Sequence, residues 1–228
     1  MQQSPISPLF LRNFREVGPI TICFLGDSIT QGCFELNTCD LKAVYHNQLR
    51  SLLADNFPAF PVNIINAGRG GDTTQDALAR LDRDVISHYP DIVVVYLGTN
   101  DIWGNREDFE KGMRSIIERL QTEGCLVVLM TGTHMNKAVR ADLTPEMAEI
   151  AEKMAQRQNE GKCEEIFDIT RKLGETYGIP VLDIYAHYDE LAANGIDTDA
   201  LLANGINHPS REMHQVFAEK LFALLTTN

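Results

Sequence analysis

The stretch FLGDSITQG, residues 24–32, decides how the chain is read. The apolar run TICFL at 21–25 stops at Gly26, and Ser28 stands where a helix-like segment begins. Short strands that are apolar at successive positions are covered on both faces, which is the mark of a parallel sheet. Four further runs have this character, at 62–66, 92–97, 126–131 and 180–183. Between them apolar residues recur every three or four positions over 41–56, 74–88 and 109–122, which predicts amphipathic helices. After the fourth run a stripe of Met147, Ile150, Ala151 and Met154 is interrupted at Gly161 and resumes at Ile166, Ile169, Leu173 and Tyr177. A last helix is expected over 211–225. Five βα units with right-handed crossovers predict an α/β protein, a three-layer α/β/α sandwich on a five-stranded parallel sheet.

At 228 residues the chain reads as a single domain, with 1–19 as an N-terminal extension and 136–162 as an insertion near the functional edge of the sheet. Its net charge of -12 repels phosphodiester backbones and anionic membranes, so neither nucleic acid nor a membrane surface is an expected partner. No apolar run is long enough to span a bilayer. The five cysteines (23, 33, 39, 125 and 163) form no C-x-x-C pair and read as free thiols, Cys23 and Cys125 within buried runs. That usage, with no secretory leader pattern at the N-terminus, leads us to expect a cytoplasmic protein. A homo-oligomer stays open, since the last helices show no decisive apolar stripe.

In open parallel sheets the ligand site lies beyond the carboxyl ends of the strands. There the sequence places Gly26-Asp27-Ser28, then NAGRGGDTT at 66–74, then GTND at 98–101. NGINHP at 204–209 precedes the final helix. A serine in such a place has three uses: helix cap, phosphate ligand or nucleophile. The phosphate reading lacks the lysine and Ser/Thr of a Walker loop, and the glycine spacing does not suit a dinucleotide. Acyl transfer, by contrast, needs this set: a hydroxyl, a histidine to take its proton, and N–H donors for an oxyanion.

The blocks GDSIT, NAGRGGDTT, LGTND and NHPS, in that order from residue 24 to residue 210, resemble the SGNH (GDSL) hydrolase superfamily. The resemblance implies a flavodoxin-like fold, Ser28 as nucleophile and His208 as general base. It also implies an oxyanion hole made of the Ser28 N–H, the Gly71 N–H and the Asn100 side-chain amide. Family members hydrolyse esters and thioesters of small acids, acetyl groups on sugars included, without metal or cofactor. The expected substrate is therefore a small ester, with O-acetylated carbohydrate the first guess. The family commonly has aspartate three residues before the histidine, where this chain has Gly205. Asn204 is one place away and would fill the position if Asn207 is an extra residue; Asp197 and Asp199 are the other candidates. A missing carboxylate also admits a non-hydrolytic binding module, and an O-acyltransferase is a third reading. Asp27 and Asp101 read as structural acceptors, the latter through Arg69. His134 reads as a polar loop residue, and His46, His88, His187 and His214 as solvated.

Overall fold

The computed structural model describes residues 7–35 and 38–227. The strands are β1 (Ile20–Gly26), β2 (Val62–Gly68), β3 (Ile92–Tyr96), β4 (Leu126–Met130) and β5 (Val181–Leu182). They lie in the order β2-β1-β3-β4-β5, and every pairing is parallel. This is the flavodoxin-like doubly wound order, so a crevice opens where the winding reverses, between β1 and β3.

β-Branched side chains line both faces of the sheet. Cys23, Leu25, Val93, Val95, Val127 and Leu129 point into one core, and Ile22, Phe24, Val94, Tyr96, Val128 and Met130 into the other. That alternation is the period of two dictated by the pleat. Each fully buried aliphatic side chain contributes about 1.5–3 kcal/mol.

The helices are α1 (Phe14–Val17), α2 (Ser28–Gln31), α3 (Tyr45–Asn56), α4 (Thr74–Ala79), α5 (Leu81–Asp84) and α6 (Arg106–Thr122). They continue as α7 (Pro145–Asn159), α8 (Lys162–Tyr177), α9 (Ile184–Ala193) and α10 (Arg211–Thr226). α4, α6, α7 and α8 cover the first core, while α3, α9 and α10 cover the second. α6 is typical of how sequence sets these elements. Asn105 caps it by accepting the Glu107 N–H, and Phe109, Met113, Ile116, Ile117 and Leu120 form its buried stripe. Among the described residues no helix is long and apolar enough to cross a membrane.

One expectation needs adjustment, and two segments show structure that the sequence reading leaves undescribed. The helix expected over 74–88 is broken into α4, α5 and a 3-10 turn, Ile86–His88. The break falls at Arg80, whose backbone leaves the helical region (φ -111°, ψ 3°) as its guanidinium turns inward. α9 occupies a segment in which no helix is expected from the pattern. Within the N-terminal extension, Leu9 and Phe10 are buried and Phe10 stacks on Phe57 at 5.3 Å, so this part is packed on the core. Residues 1–6 of the extension lie outside the described residues.

Candidate active site

Ser28 owes its position to two glycines. β1 ends at Gly26, where an added Cβ would sit 2.1 Å from Thr30 Oγ1 and 2.9 Å from the Tyr96 carbonyl oxygen. β2 ends at Gly68, where a Cβ would meet the Gln31 backbone nitrogen at 2.2 Å. Without those side chains the single turn of α2 lies directly on the end of the sheet. Asp27 caps that turn, its Oδ1 accepting the Ile29 N–H at 2.9 Å. Its carboxyl is fully buried, and burial pushes its pKa up to about 7. Asp27 is thus a structural acceptor, as expected.

Ser28 and His208 are 180 residues apart in sequence, yet Ser28 Oγ lies 3.0 Å from His208 Nε2. His208 Nδ1 lies 2.8 Å from the backbone carbonyl oxygen of Phe34. A carbonyl only accepts, so Nδ1 carries the proton and Nε2 is left with its lone pair facing the serine hydroxyl. Burial holds the imidazole pKa below its ordinary value, with the Phe34 carbonyl opposing the shift. The ring is therefore neutral, and able to accept a proton, at physiological pH.

The orienting group is thus a peptide carbonyl, and each side chain considered for that task does something else. Asn204 Oδ1 accepts the N–H groups of Ile206, Asn207 and His208 at 2.9–3.0 Å, and its Nδ2 donates to Asn207 Oδ1 at 2.9 Å. It shapes the loop that delivers His208 and makes no bond to the ring. Asp199 accepts the backbone N–H groups of Lys137 and Ala138, and Asp197 accepts that of Asp199. Both carboxylates are committed to loop structure. Asn204→Asp is accordingly expected to bring no gain in p-nitrophenyl acetate turnover, and a gain of tenfold or more would restore the missing-carboxylate reading.

Phe34 is the residue of this candidate site that the sequence reading misses, because any residue supplies a carbonyl and only the fold says where it points. Its side chain explains why the carbonyl stays in place. The ring is fully buried, with the Arg211 guanidinium 4.5 Å from its centroid and the His214 ring at 4.5 Å. Arg211 also forks onto Glu35 (2.6 and 3.2 Å) and reaches Asp40 (3.1 Å). The start of α10 thereby grips the segment carrying Phe34 from both sides.

The second half of the site comes from the ends of β2 and β3. Gly71 has φ +81°, a conformation that suits glycine. Among the described residues neither the Gly71 N–H nor the Ser28 N–H has an acceptor. Asn100 Nδ2 donates to the Asp72 carbonyl at 2.9 Å, which fixes the amide and leaves its second N–H. Asp72 in turn is buried between Arg69 Nε and Arg80 Nε. Arg80 also donates to the Gly26 carbonyl at 3.0 Å. One buried guanidinium thus ties the end of the serine's strand to the loop of Gly71 and Asp72. Arg69 pairs with Asp72, correcting its expected pairing with Asp101, which instead accepts the Thr74 N–H.

Two of the histidines read as solvated depart from expectation, and His134, a polar loop residue as read, is more deeply buried than a loop position suggests. His46 and His214 are buried, and burial lowers their pKa values to about 4 and about 3. His134 is 2% exposed and bonds Asp189 at 2.8 Å. Their helix and loop positions in sequence carried no signal of burial. His88 is exposed, as expected.

Beside His208 opens a cleft of about 470 Å³. One wall is the segment of Cys33, Glu35 and Cys39, and the other is the α7 stripe of Met147, Ile150 and Met154. α7 thus borders the cleft beside His208.

A flavodoxin-like sandwich with a Ser–His pair at its switch point defines a class of hydrolase-like folds, and comparison with known proteins narrows it. The GDSL-like lipase/acylhydrolase family model matches residues 24–216. The chain belongs to this family, whose members are ester-hydrolysing enzymes. It is 29% identical over 133 residues to the acetylxylan esterase of Geobacillus stearothermophilus, covering 48% of this chain and 58% of that protein. It is 25% identical over 215 residues to thioesterase 1/protease 1/lysophospholipase L1 of Escherichia coli K12, covering 94% and 88%. Over three of the curated relatives it matches, the chain spans 65%, 58% and 41% of their length. The crystal structure of Axe2, an acetylxylan esterase of Geobacillus stearothermophilus, has the same fold, with a TM-score of 0.73, 21% identity and coverage of 92% of this chain and 95% of that one.

Proposed function

We propose that the protein is a serine esterase that hydrolyses short acyl esters through an acyl-serine intermediate. The observation that carries the reading is the 3.0 Å contact between Ser28 Oγ and a His208 Nε2 whose lone pair is set by the Phe34 carbonyl. Ser28 Oγ attacks the ester carbonyl as His208 takes its proton. The negative charge on the former carbonyl oxygen is held by the Ser28 N–H, the Gly71 N–H and the Asn100 amide. His208 then protonates the departing alcohol, and later activates the water that releases the acid. The departing alcohol lies on the histidine side, where the cleft between Cys33 and α7 receives it.

An acetyl ester of a carbohydrate is the substrate we favour, supported by the likeness to an acetylxylan esterase. The non-hydrolytic reading loses its motive once a carbonyl is found to orient His208. Turnover of p-nitrophenyl acetate and acetylated xylo-oligosaccharides, with labelling of Ser28 by a fluorophosphonate, tests the proposal. A wild-type protein that turns over neither ester and takes no label at Ser28 would sink it.

The pH dependence follows from the imidazole. General-base catalysis needs neutral His208, and burial has lowered its pKa. Acid therefore removes activity only as the pH falls through this lowered value. The acid limb of kcat/KM against pH is expected to have its midpoint below 6.5, the ordinary imidazole value, with a plateau through neutrality. A midpoint above that value would mean that another group controls the rate.

A further inference from the structure

The segment that carries Phe34 also holds two thiols that the proposed reaction does not use. Cys33 and Cys39 form an isolated antiparallel bridge. It is flanked by the Phe34 N–H to Thr38 carbonyl bond at 3.0 Å and the Asp40 N–H to Gly32 carbonyl bond at 2.9 Å. That pattern makes them a non-hydrogen-bonded pair, for which Cα atoms stand about 4.5 Å apart. A disulfide accepts Cα separations of about 4.4–6.8 Å. The Sγ atoms are 3.3 Å apart, and bonding needs only a further approach of about 1 Å. Cys39 is exposed and Cys33 partly so, and both line the cleft beside His208. Cys23, Cys125 and Cys163 are buried.

We propose that Cys33 and Cys39 are a reversible modification site, a thiol–disulfide exchange pair whose co-reactant is a low-molecular-weight disulfide such as glutathione disulfide. Burial and the contact with Cys39 push the Cys33 thiol up to about 12, so exchange begins at the exposed Cys39. Cys39, having lost its proton, attacks one sulfur of the reagent, and the other sulfur leaves as a thiolate that takes up a proton. Cys33 Sγ then attacks Cys39 Sγ, and the second reagent thiolate leaves with the Cys33 proton. Two protons and two electrons pass to the reagent, giving two small thiols and one Cys33–Cys39 disulfide. The bond ties the two arms of the segment whose Phe34 carbonyl orients His208. A stalled mixed disulfide, in contrast, leaves the small thiol standing in the cleft. This blocking consequence rests on the esterase reading, and the exchange itself does not.

Intact-mass measurement after incubation with glutathione disulfide tests the exchange directly. The wild type is expected to lose the mass of two hydrogens, to retain no adduct and to recover its mass under dithiothreitol. Peptide mapping should place the new bond between residues 33 and 39. Cys33→Ser should instead retain one glutathione on Cys39, and Cys39→Ser should remain unmodified. The trapped adduct on Cys33→Ser should lower p-nitrophenyl acetate turnover at least tenfold relative to the same variant kept under reductant. A wild type that stays fully reduced, or that keeps a lasting adduct, overturns the proposal. An adduct on Cys33→Ser with full turnover overturns the blocking part. The masses are read without activity, so a protein inert to esters would count against the proposed function and leave the exchange standing.

Discussion

Ser28→Ala is expected to lower kcat for p-nitrophenyl acetate by roughly 10⁴–10⁶-fold, the range for a nucleophile that acts as a unit with its base. The residual rate should be that supplied by the N–H donors and by substrate binding. Among the described residues the hydroxyl makes a single hydrogen bond, to His208 Nε2. Its loss leaves Asp27 capping α2 and the glycine contacts of Gly26 and Gly68 untouched. The variant should therefore fold as the wild type does, with an unfolding midpoint shifted by no more than about 2–4 °C, the equivalent of about 1 kcal/mol in a domain of 150–250 residues. Steady-state kinetics and thermal unfolding on the same preparation check both halves. Equal activity in wild type and Ser28→Ala would remove the serine mechanism altogether.

The second large effect is expected at Asn100. Asn100→Ala should lower kcat by about 10²–10³-fold, equivalent to about 3–4 kcal/mol of transition-state stabilisation, with little change in KM. The asymmetry follows from the proposed role, in which the donor faces charge that exists only after attack. Asn100→Asp keeps the volume but replaces the donor with an acceptor, so it should be at least as damaging. A pattern in which KM rises and kcat holds would make Asn100 a substrate-binding residue with no part in the oxyanion hole. The existing bond from Asn100 to the Asp72 carbonyl makes a large relocation of the wild-type amide unnecessary.

The inner strands could be read from sequence because a doubly covered strand leaves an unbroken apolar run, as in IVVVY of β3, all of it buried. The edge strand β2, in contrast, is largely half-buried or exposed and carries Asn63 and Asn66 within its run. The ends of these runs led to Ser28, a glycine-rich turn and Asn100, since an open parallel sheet collects its functional groups at one edge. The family resemblance picked Gly71 out of that turn. His208 was found by its proline-flanked block before α10. What escaped reading was set by tertiary contacts. Arg80 carries the apolar spacing of its neighbours unbroken, yet its charge is drawn to Asp72 and the helix ends there. Asn204 sits near the position where an acid belongs, but short polar side chains readily bond the backbone just ahead of them, and this one does so three times. Burial of His214 depends on α10 packing against α3, and its Nδ1 accepts the Tyr45 N–H across 169 residues. No local pattern announces such a bond.

The peptide oxygen that steadies His208 makes part of this site invisible to residue-by-residue scanning. Every amino acid placed at position 34 brings the same oxygen, so a substitution there reports on the anchoring of a ring and never on the acceptor itself. Lengthening or shortening the chain between Gly32 and Asp40 displaces the oxygen without altering any catalytic side chain. The natural variable for tuning such a catalyst is therefore the length of a loop, a property that a catalogue of point variants does not sample.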